Sequence, residues 1–244
     1  MTDAADTSAA DTTQVTLWWA DAADWGSSPG DLMALLSAPE RDRFARLRRP
    51  ADALAYACAH ALVRLLAARE LGIGPLEVGL VADLGGKPRL DGRRLPGVSL
   101  SHSGTLACAA LCRTADIGID LETSGPRTGA DRLAERVLTP REVGTWRANG
   151  GAWADLMAAW TVKEALLKAS GLGISAGMEA LQVGAPPPAA AHPLTVPEAM
   201  APAEGWAYAR ITTIAAAAAA VAAASPNPLT ARYERILRGQ CGMP

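Results

Sequence analysis

The apolar positions of this chain change period along its length, and the changes mark its elements. Val15-Thr16-Leu17-Trp18-Trp19-Ala20 is rich in β-branched and aromatic residues and ends at Asp21 and Gly26, which predicts a strand. From Asp31 to about Leu47 the spacing is helical. Pro50 then opens a second helix, expected to run to Leu71, where Gly72 and Gly74 stop it. Leu106 to Cys112 is a continuous apolar strand. Ile117-Gly118-Ile119-Asp120-Leu121-Glu122 alternates strictly, so Ile117, Ile119 and Leu121 face a core while Gly118, Asp120 and Glu122 share the opposite face. Helices are predicted at Asp131–Val137 and from Thr139, where Pro140 and Glu142 complete a capping box. Another follows Gly150-Gly151 and runs through Trp160–Lys168 to a glycine stop after Ser170. The Pro/Ala-rich run Ala185–Pro202 reads as a loop and Trp206–Ile211 as a strand. Alanine favours helix in Ile214–Ala224, but its place after a strand points to a second hairpin strand.

Composition narrows the picture. With 244 residues, half of them apolar, and a net charge of −2, the chain can bury a substantial core and lacks the broad basic surface of a nucleic-acid binder. Residues 1–14 have neither the basic start nor the apolar centre of a signal peptide and read as a disordered leader. No strongly apolar run of about twenty residues predicts a membrane span, so a cytoplasmic protein is expected. Cys58, Cys108, Cys112 and Cys241 have no zinc-type spacing. The domain reading is an N-terminal half at 15–115 and a C-terminal half at 116–240.

Lysine usage draws attention to one helix. Lys87, Lys163 and Lys168 are the only lysines, against twenty arginines. Two of them flank Glu164, and helical spacing puts Trp160, Glu164 and Lys168 on one stripe, with Val162, Leu166 and Ala169 on a stripe suited to a core. A compact ammonium differs chemically from a guanidinium, so these positions point to a need for that difference. Gly85-Gly86-Lys87-Pro88 presents the third lysine on a turn. Ser101 and His102 sit in Val98–Gly104; as sequence neighbours they do not suit proton transfer between them, and an anion-binding loop is the preferred reading. His60 reads as a satisfied, half-buried histidine. Arg41, Arg43, Arg46, Arg48 and Arg49 form either a solvated face or a phosphate-binding edge. Asp120 and Glu122, about 7 Å apart along a strand, can converge on a hard cation, with Gly118 leaving room for a ligand. Three carboxylates beside lysines are what metal-assisted phosphoryl chemistry requires.

The order Gly86-Lys87-Pro88, Ser99-Leu100-Ser101-His102-Ser103, Gly118-Ile119-Asp120-Leu121-Glu122 and Trp160-Thr161-Val162-Lys163-Glu164-Ala165-Leu166-Leu167-Lys168 resembles the Sfp-type 4′-phosphopantetheinyl transferases. Trp160 and Ala165 look like the surfactin-synthetase-activating subgroup. The resemblance covers roughly residues 15–235. It implies an α+β fold of two similar halves related by a pseudo-twofold, with the active site in the cleft between them. It implies transfer of phosphopantetheine from coenzyme A to a serine of an apo acyl or peptidyl carrier protein, in polyketide or nonribosomal peptide biosynthesis, by a monomer. Asp120, Glu122 and Glu164 would hold Mg²⁺. Glu164, Lys168 and Asp120 would be catalytic, with Glu164 or a metal-bound water taking the serine proton. Lys87, Pro88, Ser101, His102, Lys163 and Lys168 would bind coenzyme A, Ser101 and His102 near its 3′-phosphate and Lys168, with Lys163 close by, at its pyrophosphate. Where the family often has a nucleotide-contacting arginine this chain has Ala55, and Arg48 or Arg49 is expected to take over. The competing readings are a Mg²⁺-dependent phosphodiesterase or nuclease, and a non-catalytic module that binds coenzyme A or carrier proteins.

Overall fold

Two four-stranded sheets, each backed by one long helix, organise the chain. The computed structural model describes residues 12–25, 29–83, 85–93, 95–123, 125, 128–173, 177–214 and 217–237. In chain order the elements are β1 (Thr13–Asp21), α1 (Pro29–Ala34), α2 (Ala38–Arg46), α3 (Pro50–Leu71), β2 (Leu80–Ala82), β3 (Pro88–Leu90), β4 (Gly97–Ser103), β5 (Leu106–Cys112) and β6 (Ile117–Glu122). They continue as α4 (Ala130–Val137), α5 (Pro140–Ala148), α6 (Trp153–Ser170), β7 (Ala190–Ala191), β8 (Ala207–Ile211), β9 (Ala218–Ala223) and β10 (Leu229–Arg235). The first sheet has the order β10-β1-β5-β4 and the second β6-β9-β8-β7, while β2 and β3 form a separate hairpin. Among the described residues all pairings are antiparallel except β1 with β10. This is the α+β class expected.

Strand alternation builds four layers. Ala107, Ala109 and Leu111 of β5 pack with Leu62 and Leu66 of α3, while Cys108, Ala110 and Cys112 turn the other way. There they meet Ile117, Ile119 and Leu121 of β6 and Val221 of β9 in a core between the sheets. Ala220 and Ala222 of β9 face α6 through Val162 and Leu166. The order is therefore helix, sheet, sheet, helix, the arrangement that buries both faces of each sheet. Because β9 is buried on both sides and paired on both edges, its alanines form a strand despite their helical preference.

Several expectations need correction. The helix foreseen from Asp31 to Leu47 is two helices, because Ser37 and Pro39 start a new one: Glu40 Oε2 accepts from Ser37 N at 2.7 Å and Ser37 Oγ at 2.8 Å. β1 begins at Thr13, inside the stretch read as leader, where Thr13 Oγ1 and Ser225 Oγ lie 2.6 Å apart; residues 1–11 fall outside the described residues. The segment 229–235, foreseen in the second half, adds β10 to the first sheet. Helix α3 is long and apolar enough to cross a membrane by length and composition, but 72% of its most apolar 18-residue stretch is buried in the fold.

Candidate active site

The site forms where the edge strand of one sheet runs beside the edge strand of the other. Ser99, Ser101 and Ser103 alternate on β4, so all three hydroxyls face the same way. Ser99 Oγ accepts from Ile119 N at 3.1 Å, Ser101 Oγ donates to Asp120 Oδ1 at 3.0 Å, and Ser103 Oγ donates to Glu122 Oε2 at 2.9 Å. A ladder of serines thus joins β4 to β6 and orients both carboxylates. Ser101 therefore belongs to the carboxylates and is only 7% exposed.

Gly118 shares the Asp120 face, but it does not leave room for a ligand as foreseen. A Cβ there would lie 2.0 Å from Ala165 O and 2.5 Å from Ala169 N. Glycine lets α6 approach β6 at backbone distance, and this brings Glu164 and Lys168 over Asp120 and Glu122.

All three lysines act on α6, each differently. Lys168 Nζ donates to Asp120 Oδ1 at 2.6 Å, Ser101 Oγ at 3.2 Å and Ile119 O at 3.2 Å. Burial opposes its charge, but Asp120 outweighs that and holds the ammonium above the ordinary lysine range. Lys87 Nζ reaches Ala169 O at 2.6 Å and Asp116 at 3.5 Å, so it caps the C-terminal end of α6, where a cation is favoured. Burial brings Lys87 down to about 8 despite Asp116. Lys163 does not reach the cleft at all. It is fully buried, donating to Glu142 Oε2 at 2.6 Å, Val137 O at 2.7 Å and Met178 O at 3.2 Å. Its predicted place beside a bound phosphate is thus corrected: one position along the helix from Glu164 is a turn of about 100°, which carries its side chain off the Trp160–Glu164–Lys168 stripe.

Two cavities meet at Lys168. The smaller, about 420 Å³, is lined by Asp120, Glu122, Glu164, Trp160, Ser101 and His102, together with Lys168 and Leu100. The larger, 740 Å³, shares Lys168 and Leu100 and extends past Lys87 and Pro88 to Tyr56, His60 and Glu40. Arg48 and Arg49 are exposed at the α2–α3 junction and line neither cavity. His60 is the satisfied histidine its surroundings predict. It is half-buried and satisfied by Glu40, yet it also forms part of the cavity wall. Tyr56 and Glu40 were not foreseen; the capping spacing Ser37–Glu40 was the one signal available.

The carboxylate pocket suits a hard divalent cation. Its donors are oxygens, and Asp120 Oδ2 is buried with no hydrogen-bond partner. Burial, then repulsion from Asp120, raises Glu164 to about 7, with Glu122 adding to it and Lys168 opposing. The oxygens are not drawn into a ready-made cage: among the described residues no three His, Cys, Asp or Glu side chains converge so closely. Lys168 holds one oxygen of Asp120. The residues fit a cation in kind, with Asp120 Oδ2 the oxygen left open.

Comparison with known proteins places this segment in one family. Residues 116–208, which carry Asp120, Glu122, Glu164 and Lys168, match the family model of the 4′-phosphopantetheinyl transferase superfamily. HetI of Nostoc sp., a 4′-phosphopantetheinyl transferase, is 34% identical over 68% of this chain and 72% of its own length. A Synechocystis sp. protein, slr0495, assigned by name to the same transferases, is 35% identical over 59% of this chain; the match spans 61% of that relative, less than two thirds. A 4′-phosphopantetheinyl transferase of Bacillus subtilis is 28% identical over 62% of this chain and 67% of its own length. The chain belongs to the 4′-phosphopantetheinyl transferase family.

Proposed function

We propose that this chain moves the 4′-phosphopantetheine arm of coenzyme A onto a serine of an apo carrier protein, with Mg²⁺ held by Asp120, Glu122 and Glu164. The observation that carries this reading is the shared wall: Lys168 borders both the carboxylate pocket and the 740 Å³ cavity. A coenzyme A lying in the larger cavity brings its pyrophosphate to Lys168 and to the carboxylates beyond it. The serine oxygen forms a bond to the phosphorus bearing the pantetheine arm. The bond from that phosphorus to the bridging oxygen breaks, and its electron pair leaves on adenosine 3′,5′-bisphosphate. The serine proton passes to Glu164 or to water. Lys168, kept charged by its surroundings, offsets negative charge that builds on the leaving bisphosphate. The cation, when bound, supplies charge neutralisation at the phosphates.

Trp160 and Ala165 support the surfactin-synthetase-activating subgroup, and with it carrier domains of polyketide and nonribosomal peptide synthetases as acceptors. The test incubates the purified protein with coenzyme A, Mg²⁺ and a panel of apo carrier domains, and reads intact mass. One phosphopantetheine added per carrier is expected. No mass change on any carrier, with an established transferase modifying the same panel, removes the reading.

A further inference from the structure

We infer that Ser103, braced by Thr123, fits the carboxylate pocket to a small divalent cation such as Mg²⁺ and against a large one such as Ca²⁺. This rests on the metal reading above, in which Asp120, Glu122 and Glu164 hold the cation. The two ions ask different things of a carboxylate. Mg²⁺ demands a near-octahedral shell of oxygens at about 2.0–2.1 Å, a geometry that the narrow bite of one carboxylate does not span. Ca²⁺ accepts a looser shell at about 2.3–2.6 Å and readily takes both oxygens of the same carboxylate. A pocket that offers one oxygen per carboxylate therefore suits the smaller ion.

Both carboxylates of β6 are held by one oxygen. Asp120 Oδ1 accepts from Ser101 Oγ at 3.0 Å and from Lys168 Nζ at 2.6 Å, while Oδ2 has no hydrogen-bond partner. Glu122 Oε2 accepts from Ser103 Oγ at 2.9 Å, so a cation that grips Glu122 by both oxygens has to displace that hydrogen. The serine is itself fixed. Thr123 N donates to Ser103 Oγ at 3.1 Å, and Thr123 Oγ1 lies 3.2 Å from the same oxygen. With the amide on one lone pair, the hydroxyl hydrogen can go to Thr123 Oγ1 or to Glu122 Oε2, and the nearer, charged acceptor is favoured. The next residue makes this bracing possible. A Cβ at Gly104, whose φ is +60°, would lie 2.8 Å from Thr123 Oγ1, so glycine lets the threonine close on the serine. Ser103 lines neither cavity, and it acts through Glu122 as a positioning residue.

The test loads the full chain with coenzyme A and Mn²⁺, omits any carrier protein so that no transfer occurs, and displaces the Mn²⁺ with Mg²⁺ or Ca²⁺. Electron paramagnetic resonance reads the concentration of each that removes half of the bound Mn²⁺, for the wild type, Ser103→Ala and Ser103→Thr. Because the result is a ratio of two cations, it does not depend on how much of a variant folds. Alanine removes the donor to Glu122, and threonine keeps it. In Ser103→Ala, Ca²⁺ should gain on Mg²⁺ by about tenfold, the value of one hydrogen bond to a charged group. Ser103→Thr should keep the wild-type ratio. A wild-type ratio in Ser103→Ala, whether both cations weaken equally or neither does, overturns the inference, and so does an alanine-like ratio in Ser103→Thr. A wild type that transfers phosphopantetheine while Ser103→Ala keeps its ratio removes this inference alone; a wild type that holds no Mn²⁺ beyond that held by coenzyme A itself and transfers nothing removes the functional reading.

Discussion

Replacing Lys163 with methionine separates the two roles that its place in the Trp160–Lys168 stretch suggests. The ammonium is fully buried and bound to Glu142 Oε2 at 2.6 Å, and Glu142 in turn accepts from Thr139 N, Val183 N and Gly184 N at 2.7–2.8 Å. Methionine fills the volume but leaves the carboxylate charged in the interior. Breaking a buried pair in this way costs about 3–5 kcal/mol, and for a chain of this size each kcal/mol lowers Tm by about 2–4 °C. A fall in Tm on the order of 10 °C is expected. The Michaelis constant for coenzyme A, measured well below that Tm, should stay within about twofold of wild type, because the side chain does not border either cavity. Burial opposes the charge of Glu142, but Lys163 and the backbone donors outweigh it and hold the carboxyl below its ordinary value. Its contribution is therefore present above the ordinary carboxylate range and lost as pH falls through the folded-state value. Thermal melts in the wild type and variant should accordingly converge in acid. An unchanged Tm together with a tenfold rise in the Michaelis constant would refute the reasoning and return Lys163 to the phosphates.

Three further outcomes follow from the site. Glu164→Gln should abolish transfer while stabilising the cation-free protein at pH 8. With Glu164 raised from 4.5 to about 7, its charge costs about 3 kcal/mol above pH 7, and that cost fades as pH falls toward 4.5; urea melts in chelator at pH 8 and pH 5 read the difference, and equal gains at both pH values contradict it. Gly118→Ala should lose on the order of 3 kcal/mol or more and most activity, since the new methyl meets the α6 backbone; a wild-type melting curve would mean that β6 and α6 are not so closely joined. Ser101→Ala removes a donor to Asp120 Oδ1 and an acceptor for Lys168, and is expected to lower the rate more than the affinity for coenzyme A, a split visible in steady-state kinetics.

The chain made its secondary structure legible wherever a period or a cap was strong. The alternation of Ile117–Glu122, the Thr139–Glu142 capping box and the glycine stop of α6 all appear as read. The carboxylates and Lys168 were found by residue type, and the fold brings them to one pocket. What could not be read was depth. Lys163 and Glu164 are neighbours in the chain, yet the first lies fully buried and the second at a cavity wall. Gly118 looked like space for a ligand because a sequence does not show which helix covers a strand. Tyr56 and His60 lie on a helix that is apolar nearly all round, so no polar face marked the side that opens to the cavity. Sequence spacing gives direction about a local axis; which neighbour occupies that direction is decided by contacts far apart in the chain.

The parallel pairing of β1 with β10 sets the time at which the first sheet can be completed. Thr13 pairs with Leu229 and Trp19 with Arg235, partners more than two hundred residues apart. During synthesis β1 waits with one edge open until that distant segment has emerged. Until then the first sheet lacks its border, and contacts of such separation are the slowest to form. The carboxylates of β6, the helix above them and the serine strand held by β5 can be made earlier, and the far border of the first sheet is closed last. A ribosome-bound chain should thus complete its first sheet late, an order of events written in the strand pairing rather than in any residue of the cleft.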